Sequence, residues 1–151
     1  MGTLSKAAGC FGAYVCGKKT LRDYLINKSR SFIYTTALPA SLAQAARASV
    51  QIIKEGEKLR RLLMSHAEYV RKGLRKMGFD IMNSQTPIIP ILIKDPLKTV
   101  AMSRQLLAKG IFIQPIRHPT VPQDMARLRL TVTAAHQRAD LDKLLDVLKG
   151  L

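Results

Sequence analysis

Between Glu57 and Gly78 the apolar positions Leu59, Leu62, Leu63, Ala67, Val70, Leu74 and Met77 recur every three or four residues, with Arg60, Arg61, Arg71, Lys72 and Arg75 between them. That spacing predicts a long amphipathic helix, stopped at Gly78, where a residue without a Cβ enters the left-handed region freely. Further on, the pattern predicts a strand near Phe79 to Met82, a strand at Ile88 to Ile93, a helix at Thr99 to Lys109 and, after a turn at Gly110, a short strand at Ile111 to Ile113. Gln114 to Asp124 holds Pro115, Pro119 and Pro122 and reads as a constrained loop. In Arg127 to Val132 the alternation of Leu128, Leu130 and Val132 with Arg127, Arg129 and Thr131 predicts a half-buried strand with one unusually polar face. Thr133 is placed to cap a last helix with the stripe Leu141, Leu144, Leu145 and Leu148. The resulting order predicts a small sheet covered by helices on one side.

The segment before Gly56 is patterned differently. Ala13 to Cys16 reads as a short buried strand among glycines, and a helix follows from about Lys18 to Lys28. Phe32 to Leu38 is rich in β-formers and predicts an extended stretch ending at Pro39. Ser41 to Lys54 is an Ala-rich helix with little internal charge, expected to be packed on several sides. These elements offer too little mutual surface to close a unit, so the portion reads as torn from something larger. The division expected is residues 1–55, a remnant of a larger domain, and residues 56–151, a small α+β domain.

Charge adds less than its size suggests. The 151-residue chain carries 25 Lys and Arg against 10 Asp and Glu, a net +15, enough to attract nucleic acid, an anionic membrane or phosphorylated ligands without choosing among them. The basic residues come at most in adjacent pairs separated by apolar positions, as on solvated helix faces. With 5% aromatic residues, no Trp and no nucleic-acid motif, a basic nucleic-acid-binding module is the weaker alternative, and a purely structural or dimerisation fragment is another. Cys10 and Cys16 match no zinc or redox spacing and read as small buried hydrophobes, which favours a reducing, cytoplasmic setting. His66 and His136 have no third ligand at metal spacing, so no metal is expected. The most apolar run, Pro87 to Ile93, is short and broken by Pro90, and neither a targeting nor a transmembrane segment is visible.

The candidate for chemistry is Lys6, which sits among Gly, Ala, Ser and Thr and precedes an uncharged run from Ala7 to Gly17. A lysine attacks a carbonyl as the neutral amine, a form favoured by desolvation or nearby positive charge, and the uncharged surroundings suit the first condition. Ala7, Ala8 and Gly9 leave room for a bulky cofactor against the backbone, and the Thr3 and Ser5 hydroxyls can donate to its oxygens. An ordinary lysine near a frayed terminus fits the spacing equally well.

The order Gly2-Thr3-Leu4-Ser5-Lys6-Ala7, with Gly9 and Gly12-Ala13-Tyr14, closely resembles the cofactor-lysine motif of the α-oxoamine synthases, enzymes of fold type I dependent on pyridoxal 5'-phosphate. The resemblance implies an α/β fold, here the C-terminal part of a PLP-dependent transferase, with Lys6 bonded to the cofactor and later moving the substrate's α-proton while Thr3 contacts the phosphate. Phe32-Ile33-Tyr34-Thr35-Thr36-Ala37-Leu38-Pro39 resembles the segment that crosses the family's dimer interface, which implies that Thr35 and Thr36 reach the phosphate of a neighbouring site in a homodimer. Ile116-Arg117-His118-Pro119-Thr120-Val121-Pro122 and Ala126-Arg127-Leu128-Arg129-Leu130-Thr131 are similar to the substrate loop and strand. Arg129 matches the arginine that binds the amino-acid carboxylate, and Arg117 and Thr120 match residues lining the substrate side. Guanidinium suits that role because it grips a carboxylate through two parallel hydrogen bonds.

Within the family, these segments look more like the branch that condenses L-alanine with pimeloyl-CoA or its carrier-protein analogue, with decarboxylation, to give 8-amino-7-oxononanoate for biotin synthesis. Glycine C-acetyltransferase (2-amino-3-ketobutyrate ligase) is the alternative within the family. His118 departs from the proline common at its position. The aspartate, histidine and glycine-containing turn with which family members hold the pyridine nitrogen, the ring and the phosphate have no match in these residues. The resemblance therefore implies a fragment or truncated product with little activity of its own.

Overall fold

The computed structural model describes residues 1–151. The chain divides into two compact units, Met1–Glu57 and Lys58–Leu151.

In the first unit, strands β1 (Gly2–Thr3) and β2 (Ala13–Tyr14) form a two-residue antiparallel ribbon, with Gly2 opposite Tyr14 and Thr3 opposite Ala13. Helices α1 (Lys19–Lys28), α2 (Arg30–Ile33) and α3 (Ala40–Glu55) follow. The strand expected over Ala13 to Cys16 is thus shorter than its pattern predicts and exposed, and Cys16 is exposed where a buried thiol was expected. Phe32 and Ile33, read as extended, lie in α2. β-formers gain from a pleated surface with cross-strand neighbours, and with no partner strand there the backbone bonds locally, Ile33 N–H to Ser29 O at 3.0 Å and Tyr34 N–H to Arg30 O at 3.0 Å. Beyond α2 the segment is irregular as far as α3. No residue of α3 is buried, against the expectation that it packs on several sides.

The second unit holds helix α4 (Glu57–Lys76, which opens on the last residue of the first unit), strand β3 (Ile88–Lys94), helix α5 (Pro96–Ala108), strands β4 (Gln114–Ile116) and β5 (Ala126–Thr131), and helix α6 (Arg138–Lys149). The sheet is antiparallel in the order β3-β5-β4. One face carries Ile89, Ile91, Leu128 and Leu130, buried with Ala67, Val70 and Leu74 of α4, Leu106 of α5, and Leu141, Leu144, Leu145 and Leu148 of α6. Burying aliphatic side chains of this size contributes roughly 1.5–3 kcal/mol each, so these helices cover one side of the sheet, as the alternating pattern of β5 predicts.

Both helix stops follow from glycine. Phe79 N–H bonds Leu74 O at 3.1 Å and Gly78 N–H bonds Arg75 O at 3.0 Å, with Gly78 at φ +82°. The end of α5 repeats the arrangement, Ile111 N–H to Leu106 O and Gly110 N–H to Leu107 O, both at 2.9 Å. The start of α5 lies earlier than Thr99, because Asp95 accepts from Leu97 N–H at 2.8 Å and Lys98 N–H at 3.0 Å, with Pro96 at the first helical position. Thr133 does not cap α6, since its amide donates to His136 Nδ1 at 3.2 Å; Gln137 N–H meets Asp140 Oδ2 at 2.8 Å instead.

Two expected strands are displaced. Ile111 to Ile113 is a connection whose last carbonyl accepts from Ser103 Oγ at 2.7 Å, and pairing with β5 begins at Gln114, inside the segment read as a loop. Phe79 to Met82 forms no strand; its backbone bond to β3 runs from Leu92 N–H to Asp80 O at 2.8 Å. Pro90 sits in edge strand β3 with the same parity as Leu92, whose amide points away from β5. The proline therefore lacks only a hydrogen that the ladder does not use.

Candidate active site

The lysine loop of the first unit is held mainly by its own backbone. Leu4 N–H bonds Gly12 O at 2.9 Å, Cys10 N–H bonds Leu4 O at 2.9 Å, and Gly9 N–H closes a turn onto Lys6 O at 3.0 Å. Lys6 therefore opens a turn with Ala7 and Ala8 at its centre, and Gly9 takes φ +61° with nothing near the place a Cβ would occupy. Lys6 Nζ donates to Thr3 Oγ1 at 3.3 Å. Lys6, Thr3 and Ser5 are all exposed, so within its own unit the amine is not desolvated, contrary to the expectation from its uncharged neighbours. What the turn presents is an amine and two hydroxyls beside open space. That donor set fits a group carrying an aldehyde for the amine and a phosphate for the hydroxyls.

Thr35 and Thr36 are exposed beyond α2, and neither is hydrogen-bonded to Lys6. Thr35 Oγ1 donates to Ser31 O at 2.5 Å, whereas the exposed Thr36 hydroxyl makes no such bond.

On the sheet face away from the core of the second unit, β5 presents Arg127, Arg129 and Thr131, the polar strip its alternation predicts, flanked by Ile88, Pro90 and Leu92 of β3 and by Gln114 and Ile116 of β4. Arg129 is exposed at the centre of that face, between Pro90 of β3 and Gln114 of β4, with Arg127 one step along β5 between Leu92 and Ile116. Arg127 is half-buried, its Nη1 donates to Met82 Sδ at 3.3 Å, and its Nε is enclosed without a partner. Arg117 and Thr120 close a turn through Thr120 N–H to Arg117 O at 3.0 Å, around a cis His118–Pro119 bond. Arg117 also lines an open hollow of about 390 Å³ with Pro96, Leu97, Val100, Ala101 and Arg104. The loop is exposed apart from Val121, so both side chains are accessible to a ligand.

Several polar groupings escape the sequence reading. Arg71, taken as one of the solvated residues of α4, is buried, with Nε 3.0 Å from Glu68 Oε2 and Nη1 2.8 Å from Thr86 O. Its position four residues after Ala67 and three before Leu74 carries the signal, since that spacing points into the core. Arg138 lies over the Tyr69 ring, 3.3 Å from its centroid, and Asp142 Oδ1 accepts from Tyr69 Oη at 2.5 Å and Arg138 Nε at 3.1 Å. The hydrogen bond from Tyr69 holds the Asp142 carboxyl below its ordinary range, and the same bond raises the Tyr69 hydroxyl. In the first unit Ser49 Oγ and Cys10 Sγ both reach Ala8 O. No helix is long and apolar enough to cross a membrane.

Comparison with known proteins gives this architecture a context. The family model for aminotransferase class I and II matches residues 1–148. An 8-amino-7-oxononanoate synthase of Marinobacter nauticus is 45% identical over 148 residues, covering 98% of this chain and 38% of the relative. A serine palmitoyltransferase structure holding PLP as the internal aldimine superposes with a TM-score of 0.91 at 26% identity, covering 99% of this chain and 38% of that one. An 8-amino-7-oxononanoate synthase of Francisella tularensis shares the fold at a TM-score of 0.85 and 23% identity, over 98% of this chain and 43% of that one. The chain thus spans about two fifths of the length of the curated relatives it matches.

Proposed function

The chain belongs to the aminotransferase class I and II family, and from that premise we propose that it forms part of a pyridoxal-phosphate-dependent acyltransferase making 8-amino-7-oxononanoate from L-alanine and a pimeloyl thioester. The observation that carries the reading is the Lys6 amine 3.3 Å from the Thr3 hydroxyl on one exposed turn. The 45% identity to a synthase of that name supports the choice of reaction.

Pyridoxal phosphate, when bound, supplies an aldehyde carbon for amines and a ring that absorbs negative charge at a substrate's α-carbon. Lys6 Nζ is the amine that holds it and, once released, the base that takes the α-proton from alanine. Thr3 Oγ1 donates to the phosphate, and Thr36 and Thr35 offer their hydroxyls to the phosphate of a second copy's site; Thr35 must first give up Ser31 O. Arg129 grips the alanine carboxylate with two parallel hydrogen bonds and orients it until the carboxylate leaves as carbon dioxide. Arg117 and Thr120 line the substrate side. The groups with which the family holds the pyridine nitrogen and stacks the ring have no counterpart in these residues, so the proposal gives this chain part of the site.

The test is a chimera in which this chain replaces the matching part of the Marinobacter nauticus relative. With pyridoxal phosphate it is expected to show the visible absorption of a lysine-bound cofactor and to consume L-alanine and pimeloyl-CoA, with glycine and acetyl-CoA as the control pair. Lys6→Ala is expected to abolish the absorption and to lower turnover by about a thousandfold or more, the scale on which losing both covalent and acid–base roles is felt. Unchanged absorption and turnover in that variant would remove Lys6 from the chemistry.

A further inference from the structure

The carbonyl of Ala8, in the lysine turn, takes side-chain hydrogen bonds from two residues outside the turn. Ser49, on α3, donates from Oγ to Ala8 O at 2.8 Å, and Cys10 Sγ donates to the same oxygen at 3.1 Å. The two donors lie 3.8 Å apart and use the two acceptor positions a carbonyl oxygen offers. Cys10 is also the only buried residue of the first unit. Ala8 is the second central residue of the turn that Lys6 opens, so its carbonyl belongs to the peptide leading into Gly9. Gly9 has φ +61° and no side-chain contact to fix it. A turn tip of Ala-Ala-Gly has no side chain able to anchor it; the backbone bonds Gly9 N–H to Lys6 O at 3.0 Å and Cys10 N–H to Leu4 O at 2.9 Å hold its base, and the Ala8 carbonyl is held by the two side chains alone.

We propose that Ser49, acting with Cys10 through the Ala8 carbonyl, is a positioning residue for Lys6. It fixes the turn so that the amine stands beside Thr3 and both face the same ligand. Ser49 lies on the 16-residue helix α3, so its bond ties the turn to a second element of the same unit. The network acts on orientation alone: neither Ser49 nor Cys10 is hydrogen-bonded to Lys6 or Thr3. The inference rests on the reading of Lys6 as the cofactor lysine, and its test separates the two.

The 151-residue chain is incubated with pyridoxal phosphate, reduced with borohydride and mapped by peptide, and label on Lys6 is compared with label on the exposed Lys18 and Lys19. The wild-type chain is expected to be enriched at Lys6; equal labelling of all three would overturn the cofactor-lysine reading itself. Given that enrichment, Ser49→Ala is expected to lower it by about fivefold, the population shift that one net hydrogen bond supports, with unchanged helical circular dichroism and unchanged label on Lys18 and Lys19. Ser49→Thr keeps the hydroxyl and is expected to restore the enrichment. Ser49→Cys, nearly isosteric with a weaker donor, repeats the comparison if the alanine variant loses helical signal, and an intermediate enrichment is expected. Wild-type enrichment in Ser49→Ala, or in Ser49→Cys where that variant decides, would overturn the positioning role.

Discussion

Removing the Arg71 guanidinium leaves the Thr86 carbonyl without its donor and Glu68 without its closest cation. Hydrogen bonds to charged groups contribute about 1.5–3 kcal/mol, so Arg71→Ala is expected to destabilise the second unit by about 2–3 kcal/mol in urea unfolding. A loss within a few tenths of a kcal/mol would mean that water replaces the guanidinium freely. Arg129 calls for a functional measurement, because it is exposed and has little to contribute to folding. In the chimera, Arg129→Lys is expected to raise KM for the amino acid about tenfold, since an ammonium cannot make the paired contact of a guanidinium. An unchanged KM would move the carboxylate elsewhere. At this scale the sequence is readable where order is distinctive, as in Gly-Thr-Leu-Ser-Lys-Ala, and unreadable where the partner is a main-chain carbonyl. The Thr86 oxygen that holds Arg71 and the Ala8 oxygen that holds Ser49 leave no mark in residue identity.

Helices α4 and α6 are tied at their surface by Tyr69, Arg138 and Asp142, and the tie has a pH signature. A carboxyl with a lowered pKa, as in Asp142, contributes stability that is present above its unfolded value of about 3.9 and lost as pH falls through the lower folded value. The raised Tyr69 hydroxyl contributes stability that is present below about pH 10 and lost as pH rises through its higher folded value. The stability difference between the wild type and Asp142→Asn, taken from urea midpoints, is therefore expected to be largest near neutrality and to shrink as pH falls below about 4, the unfolded carboxyl value. A difference that persists into acid would assign it to packing. Among the elements, α4, β3, α5, β5 and α6 are all visible in the pattern, because their apolar spacing and their burial have the same cause. The departures are local: α2 forms where β-formers have no strand to pair with, and β4 begins three residues late, at Gln114, just after the Ile113 carbonyl that accepts from Ser103 Oγ.

Across the whole chain, the two units differ in how they are held. The second has a continuous aliphatic core, whereas the first buries only Cys10 and exposes Phe32, Tyr34, Val50 and Ile52 at 64, 77, 54 and 64%. Amides of α3 are expected to exchange with deuterium well before those of β3 and β5, because opening α3 uncovers no core; equal protection would show that α3 is held by something outside its unit. The sequence showed this asymmetry as a shortage of partner surface before Gly56, while the +15 charge, the most conspicuous feature of composition, located nothing. The second unit's sheet also controls its own width. Along the free flank of β3, the amide of Ile88 is taken by Thr86 Oγ1 at 3.2 Å, that of Leu92 by Asp80 O, and Pro90 has none to offer. An incoming strand finds no vacant donor along Ile88 to Leu92, so the sheet resists being lengthened there by another chain, and this flank is protected against the strand-by-strand stacking that seeds aggregation.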